Sequence, residues 1–148
     1  MARQRFEELK AQKERHKRPD LDAFFDELEP VAIETMTGSW HGGVFPTGSA
    51  VEILLKDFGV IKWHGKRFDS ADRVQALVGK TLGIKMSFPL GTAVLRRVEF
   101  RSKVSTAMIY DRRPIIDHFR QIDDNAVMGV MDEKGKIEVY FYLERESS

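Results

Sequence analysis

The sequence lacks cysteine, a strong net charge and long apolar runs, and each of these absences excludes a class of protein. Because none of the 148 residues is cysteine, disulfides, thiolate metal sites and cysteine catalysis are excluded. The 24 lysines and arginines nearly balance the 23 aspartates and glutamates, so no global field attracts nucleic acid or an acidic membrane. No apolar run reaches the roughly 18 residues of a membrane-spanning helix. The charged residues 1–19 do not resemble a signal peptide, and we therefore expect a cytoplasmic protein.

Common catalytic signatures are also missing from the sequence. The patterns Gly-x-Ser-x-Gly and Gly-x-Gly-x-x-Gly do not occur, and neither does the P-loop pattern. The four histidines show no metal-ligand spacing, so we expect neither a metal site nor a cofactor. Basic residues do not alternate with aromatic ones as single-strand nucleic-acid binders require. These absences favour a binding protein over an enzyme and argue against a nucleic-acid partner.

The N-terminal part of the chain predicts helices of different kinds. Residues 1–19 carry many basic side chains and few apolar ones, which predicts a basic arm that is solvated or a frayed helix. Such an arm could make weak contact with an anionic membrane. Residues 20–29 have one apolar face at helical spacing and predict an amphipathic helix. A capping box formed by Ser49 and Glu52 predicts a further short helix. The apolar face of that helix would comprise Val51, Leu54, Leu55 and Phe58.

The second half of the chain alternates with the period of β-strands, and turn residues separate the successive runs. Consecutive antiparallel strands hide their edges when they close into a barrel. The sequence therefore predicts one mainly β domain over residues 20–148. We expect an antiparallel β-barrel with N-terminal α-helices and one short helix after the first strand. The predicted strands cover residues 38–45, 60–68, 93–100, 103–110, 115–122, 126–131 and 137–143, whereas residues 69–90 are ambiguous.

A glycine-flanked tryptophan identifies a family resemblance. The motif Gly38-x-Trp40-x-Gly42, followed by Phe-Pro-Thr-Gly at 45–48 and a second block at 63–68, resembles the GXWXG domain of bacterial and plant proteins. Blocks further along are similar to the uncharacterised domain that usually follows it. The resemblance implies a GXWXG-like part over 30–90 and a β-meander over 91–146, in a family largely without an assigned activity. The later blocks comprise residues 98–101, 108–111, 114–119 and 141–145.

At the level of the fold, the motif also resembles the start of the calycins, which include lipocalins, fatty-acid-binding proteins and nitrobindins. In those families a helix precedes a Gly-x-Trp strand that helps to close a β-barrel. The resemblance implies a structural closure role for Gly38, Trp40 and Gly42. It also implies that Arg145 packs on the Trp40 indole in a cation–π contact, as an arginine does in lipocalins. An alternative is that Trp40 forms a wall of the ligand cavity.

The expected function is binding or carriage of a hydrophobic or amphipathic small molecule, such as a lipid, inside the barrel. A closed barrel of eight or more strands leaves an interior that can hold one ligand. By analogy with the intracellular lipid-binding proteins, Arg96 with Tyr110 or Tyr142 would hold an anionic head group. The alternative is that this face of the strand points outward and Arg97 points in. The predicted ligand-binding residues are Trp63, Lys66, Arg96, Met108, Tyr110, His118 and Tyr142.

Other functions stay open at this point. One alternative is a cofactor-free enzyme that uses the barrel cavity, with His118 and a carboxylate in acid–base chemistry. Another is haem binding, with His118 as the axial ligand. Asp117 cannot simply orient His118, because neighbouring residues of a regular strand point to opposite faces. A third alternative is an interaction module whose barrel interior is packed solid.

Overall fold

The computed structural model describes residues 1–49, 51–52, 62–81, 84–87 and 91–147. The Ser49 hydroxyl accepts a hydrogen bond from the backbone N–H of Glu52 at 3.3 Å, which is one half of the predicted capping box. The rest of the helix predicted after Ser49 lies outside the described residues. None of the helices in the described residues is long and apolar enough to cross a membrane.

The chain folds into three helices and ten strands within the described ranges. The helices are α1 (Ala2–Ala11), α2 (Arg18–Glu27) and α3 (Ile33–Met36). The strands are β1 (Glu29–Pro30), β2 (Gly38–Val44), β3 (Lys62–Ser70), β4 (Arg73–Thr81), β5 (Ile84–Ser87), β6 (Thr92–Phe100), β7 (Lys103–Tyr110), β8 (Ile115–Asp123), β9 (Ala126–Glu133) and β10 (Lys136–Arg145).

Eight of these strands form a closed antiparallel barrel, as the sequence predicts. They are joined in the order β2, β3, β4, β6, β7, β8, β9 and β10, and β10 pairs with β2 to close the ring. The short strand β1 pairs with the end of β8, and β5 pairs with β4 beside the ring. The predicted strands of the second half are confirmed within a few residues. The ambiguous segment 69–90 contains all of β4 and all of β5.

Each of the eight barrel strands contributes side chains at alternate positions to the barrel interior. On β10, for example, Val139, Phe141 and Leu143 point inward, and Tyr140 packs on the outer wall. A strand that is half buried alternates in this way, and its register decides which set faces the core. The buried members of the interior cluster are Val31, Met36, Trp40, Phe68, Val74, Ala76, Ala93, Leu95, Met108, Tyr110, Ile115, Phe119, Val127, Val139, Phe141 and Leu143.

Helices α1 and α2 cover the outer wall formed by β8, β9 and β10. The prediction of a solvated or frayed arm is wrong for the apolar stripe of α1, because Phe6 and Leu9 are 0% and 1% exposed. The Phe6 ring contacts the Tyr142 ring, with centroids 5.2 Å apart. Two cations of α1 are paired with the barrel as well: Arg3 contacts Asp123, and Lys10 contacts Glu144. These contacts hold the N-terminal helix on the barrel.

Candidate functional site

Trp40 closes one end of the barrel beneath α3. Its side chain is 1% exposed, and its indole N–H donates to the Met36 carbonyl oxygen at 2.8 Å. The Arg145 guanidinium lies 4.3 Å from the centre of the indole ring, which is the predicted cation–π contact. Arg145 also donates to the carbonyl oxygens of Thr35 and Thr37 at 2.6 and 2.8 Å. Because its one polar atom is already bonded, Trp40 works as a packed closure rather than as a polar contact for a ligand.

The two glycines of the motif are required for different reasons. Gly38 has a φ of 122°, which L side chains rarely adopt, and it lies beside the Arg145 guanidinium. A Cβ atom on Gly42 would overlap the indole of Trp63. The second glycine of the motif therefore leaves the space that the Trp63 ring occupies.

A buried polar centre, formed by Lys66, Asp117 and Tyr110, spans the barrel interior. Lys66 Nζ lies 3.3 Å from Asp117 Oδ2, and their side chains are 4% and 2% exposed. Strand alternation explains why all three side chains point inward. Each of them lies two residues along its strand from another inward side chain, which is a phenylalanine or a methionine. Strands β3 and β8 lie on opposite sides of the ring, so the long lysine side chain reaches across it. Lys66 also donates to the carbonyl oxygen of Ala76 at 3.1 Å and to the Tyr110 hydroxyl at 3.5 Å.

Burial dominates the ionisation of this centre. It lowers the pKa of Lys66, and the neighbouring Asp117 carboxylate offsets part of that shift. Burial also raises the pKa of Asp117, against the opposite influence of the Lys66 ammonium. The pKa of Tyr110 lies well above its ordinary value, because burial and the Asp117 charge both disfavour the phenolate. Tyr110 is therefore a neutral hydroxyl group at physiological pH.

Two polar atoms beside this centre are buried without a hydrogen-bond partner among the described residues. They are Asp117 Oδ1, an acceptor, and Trp63 Nε1, a donor. The surroundings are aromatic: the rings of Trp63, Tyr110 and Phe141 lie 5.5, 5.8 and 5.3 Å from Lys66 Nζ. A buried polar atom without a partner costs about 1–3 kcal/mol of stability, and a ligand or water that bonded to it would recover that cost.

Comparisons with known proteins agree with this architecture. Residues 23–82 match the family model described as "GXWXG protein", and residues 91–145 match "Domain of unknown function (DUF4334)". A crystal structure of a protein from Thermomonospora curvata is 42% identical over 99% of each chain, with a TM-score of 0.87. The chain belongs to the GXWXG family. A comparison with curated proteins found no match.

The two matched segments of this GXWXG family member share one site. The GXWXG segment supplies Trp40, Trp63 and Lys66, whereas the DUF4334 segment supplies Tyr110 and Asp117. The ion pair therefore joins one segment to the other inside a single barrel. Four of the residues predicted to bind a ligand, Trp63, Lys66, Met108 and Tyr110, contribute to this interior.

Arg96 does not lie in the barrel interior, so the predicted arrangement beside Tyr110 is wrong. Its side chain is 50% exposed on the outer face, where it pairs with Asp72 at 2.8 Å. The reason is the register of β6, in which Ala93 and Leu95 take the inward positions. Arg97 occupies the next position of the inward row but is exposed, and it lines a surface cavity of about 380 Å³.

Tyr142 and His118 also lie outside the barrel interior. Tyr142 packs against the ring of Phe6 beneath α1. His118 stacks on Phe100, with ring centroids 3.8 Å apart, and its Nε2 lies 3.1 Å from Asp132 Oδ2. Burial lowers the pKa of His118. Because His118 points away from the interior, neither acid–base chemistry in the cavity nor axial haem ligation there fits its position.

Asp117 is the site residue that the sequence analysis misses. It lies on β8 between inward Ile115 and Phe119, and it is 1% exposed. The register places it directly opposite Met108, which also points inward. The sequence signal for Asp117 is a single carboxylate at one of the alternate positions that apolar residues otherwise occupy on this strand.

Proposed function

We propose that this protein binds a hydrophobic or amphipathic small molecule, such as a lipid, in the barrel interior. The apolar body of the ligand lies among the inward side chains, and its polar end lies at the buried polar centre. The observation that carries the proposal is the Lys66–Asp117 ion pair, with its open acceptor, at the middle of an otherwise apolar interior.

The proposal is supported by the cost of such a pair. Removing two charges from water costs several kcal/mol per ion, and a well-packed apolar pair of similar volume is often at least as stable. The other inward residues of the barrel are mainly valine, leucine, methionine and phenylalanine, so apolar packing alone is an available solution. A polar centre that is retained despite this cost is typical of a functional site.

The surroundings of the centre suit an apolar ligand body. The rings of Trp63 and Phe141 contact each other edge to face, with centroids 6.2 Å apart. Met108 is fully buried on the wall beside Asp117, and methionine adapts its shape to irregular ligands. Aromatic and methionine side chains around a few polar groups are the usual composition of a small-molecule site.

The test is a binding measurement with a neutral apolar probe. The dye N-phenyl-1-naphthylamine fluoresces when it leaves water, and we expect uptake at micromolar concentration. Native mass spectrometry of protein purified without denaturant should show a retained small molecule. Replacing the ion pair in the double variant Lys66→Met with Asp117→Val should change which amphipathic molecules are retained.

Arg96→Ala is the matched control, because it removes a charge from the outer wall. We expect this variant to bind the probe as the natural sequence does. If the folded natural protein takes up no probe and retains no molecule, the proposal is wrong and the barrel is packed solid. If Arg96→Ala abolishes binding, the ligand lies at the outer wall instead.

A further inference from the structure

We infer that the polar end of the ligand is a hydroxyl group, so that the barrel selects an apolar alcohol over the carboxylic acid of equal chain length. This inference rests on the proposed function and names the class of its ligand. It follows from the hydrogen bonds that the buried polar centre makes within the protein and from the polar atoms beside it that have no partner among the described residues.

The donors of Lys66 are already used within the protein. An ammonium group has three N–H donors. Lys66 Nζ directs them to the Ala76 carbonyl oxygen at 3.1 Å, to Asp117 Oδ2 at 3.3 Å and to the Tyr110 hydroxyl oxygen at 3.5 Å. A ligand carboxylate would therefore have to displace one of these partners to reach the cation.

Beside the ammonium group, one buried acceptor atom and one buried donor atom have no hydrogen-bond partner within the part of the chain that the structure describes. Asp117 Oδ1 can accept a hydrogen bond, and Trp63 Nε1 can donate one. Both flank the same ammonium group, Asp117 through the ion pair and Trp63 through its ring, whose centre lies 5.5 Å from Lys66 Nζ. A hydroxyl group both donates and accepts, so it can satisfy the carboxylate oxygen and the indole N–H together.

A carboxylate fits the same place badly. The single positive charge of the centre is already balanced by Asp117, and the side chains of both are almost completely buried. A ligand carboxylate would place a second negative charge beside Asp117 in a medium of low dielectric, where like charges repel strongly. It could accept from Trp63 but would have no hydrogen to donate to Asp117 Oδ1.

The experiment compares three probes of one chain length: 1-dodecanol, dodecanoic acid and 1-methoxydodecane. Each displaces N-phenyl-1-naphthylamine from the natural protein at pH 7.5. The ether accepts a hydrogen bond but cannot donate one, so it isolates the contact with Asp117. We expect the alcohol to bind at least tenfold more tightly than the acid and about fivefold more tightly than the ether, because one hydrogen bond changes affinity by that order.

Two variants assign the preference to individual atoms. Trp63→Phe keeps an aromatic ring and removes the N–H, so it should weaken the alcohol and the ether by about fivefold each. Asp117→Asn removes the charge at almost constant shape, so the disadvantage of the acid should shrink severalfold. If Asp117→Asn does not fold, Trp63→Phe still tests whether the indole N–H bonds to the polar end of the ligand. The control is Tyr142→Phe, which removes a hydroxyl from an outer-wall ring and should leave all three affinities unchanged.

The possible results separate the inference from the proposed function. Equal or tighter binding of the acid overturns the inference and leaves ligand binding intact. Equal affinities of alcohol and ether overturn it as well, because Asp117 Oδ1 then makes no contact. If the dye and all three probes fail to bind the folded protein, the proposed function and the inference fall together.

Discussion

The buried ion pair makes a strong prediction about stability, which can be tested by removing its members singly and together. Lys66→Met keeps the length of an unbranched side chain and removes its charge. Asp117→Val removes the carboxylate and places a β-branched residue on β8, where such residues fit well. In each single variant, one charged group stays in the barrel interior without its partner.

The expected magnitudes follow from the burial of the pair. The side chains are 4% and 2% exposed, so solvent does not screen an orphaned charge. Breaking a pair of this kind costs about 3–5 kcal/mol, whereas replacing both partners by apolar residues ranges from neutral to about 4 kcal/mol of added stability. We therefore expect the double variant to be more stable than either single variant, by at least about 3 kcal/mol.

The assay is urea unfolding at pH 7, followed by the fluorescence of the two tryptophans. Two results would refute the reasoning. If the free energy of unfolding of either single variant lies within about 1 kcal/mol of that of the natural protein, the group that remains in that variant is not a buried charge. If the cost of the double variant equals the sum of the two single costs, the groups do not interact.

The single variants should also respond to pH in opposite directions. In Lys66→Met, the pKa of Asp117 stays raised by burial and loses the cation that lowers it. A raised folded-state pKa means that the unfolded state releases its proton first, so stability is greatest below the ordinary carboxyl pKa of 3.8 and declines as the pH rises above it. In Asp117→Val, the pKa of Lys66 is lowered from 10.5, and stability therefore increases as the pH rises toward that value. Melting temperatures measured across these pH ranges check both directions. If the melting temperatures of the two variants change in the same direction with pH, the reasoning is wrong.

Three further substitutions test the closure of the barrel by the same unfolding assay. Trp40→Ala should cost about 3–5 kcal/mol, because the indole is 1% exposed; a near-neutral effect with lost ligand binding would instead place Trp40 in the ligand site. Gly65→Ala should cost at least as much, because its Cβ would overlap the backbone oxygen of Trp40; an unchanged midpoint would show that the strands can separate freely. Arg145→Met should cost about 1–3 kcal/mol through the cation–π contact and the hydrogen bonds to three carbonyl oxygens, those of Thr35, Thr37 and Asp124, and Arg145→Lys should recover only part of this cost.

The alternation of the sequence predicts the strands well, but it does not state which face is inside. On β10 the apolar and polar sets differ clearly, and the inward set is the apolar one. On β6 both sets are mixed, because Arg96 and Arg97 are adjacent and each belongs to a different set. The register with β7 decides between them, and it turns Arg96 outward. The prediction that Arg96 holds an anionic head group was wrong for this reason.

The buried polar centre could not be derived from local patterns. Lys66 and Asp117 are distant in the sequence, and they meet only because β3 and β8 lie on opposite sides of the closed ring. Asp117 interrupts a row of inward apolar residues, which is a signal of an unusual position but not of its partner. The cation–π contact of Arg145 with Trp40 was predictable, because the resemblance to calycins implied it for these two residues.

The tryptophan motif shapes the surroundings of the buried polar centre by packing. Its tryptophan seals the end of the barrel, and its second glycine leaves the space in which the Trp63 indole lies beside Lys66. The two family segments contribute strands to the same barrel. A segment that carried Lys66 alone would bury an ammonium without a counter-ion, and one that carried Asp117 alone would bury a carboxylate. Only the closed ring, with β10 returning to β2, brings the two charges together, and it leaves one oxygen of Asp117 without a hydrogen-bond partner among the described residues.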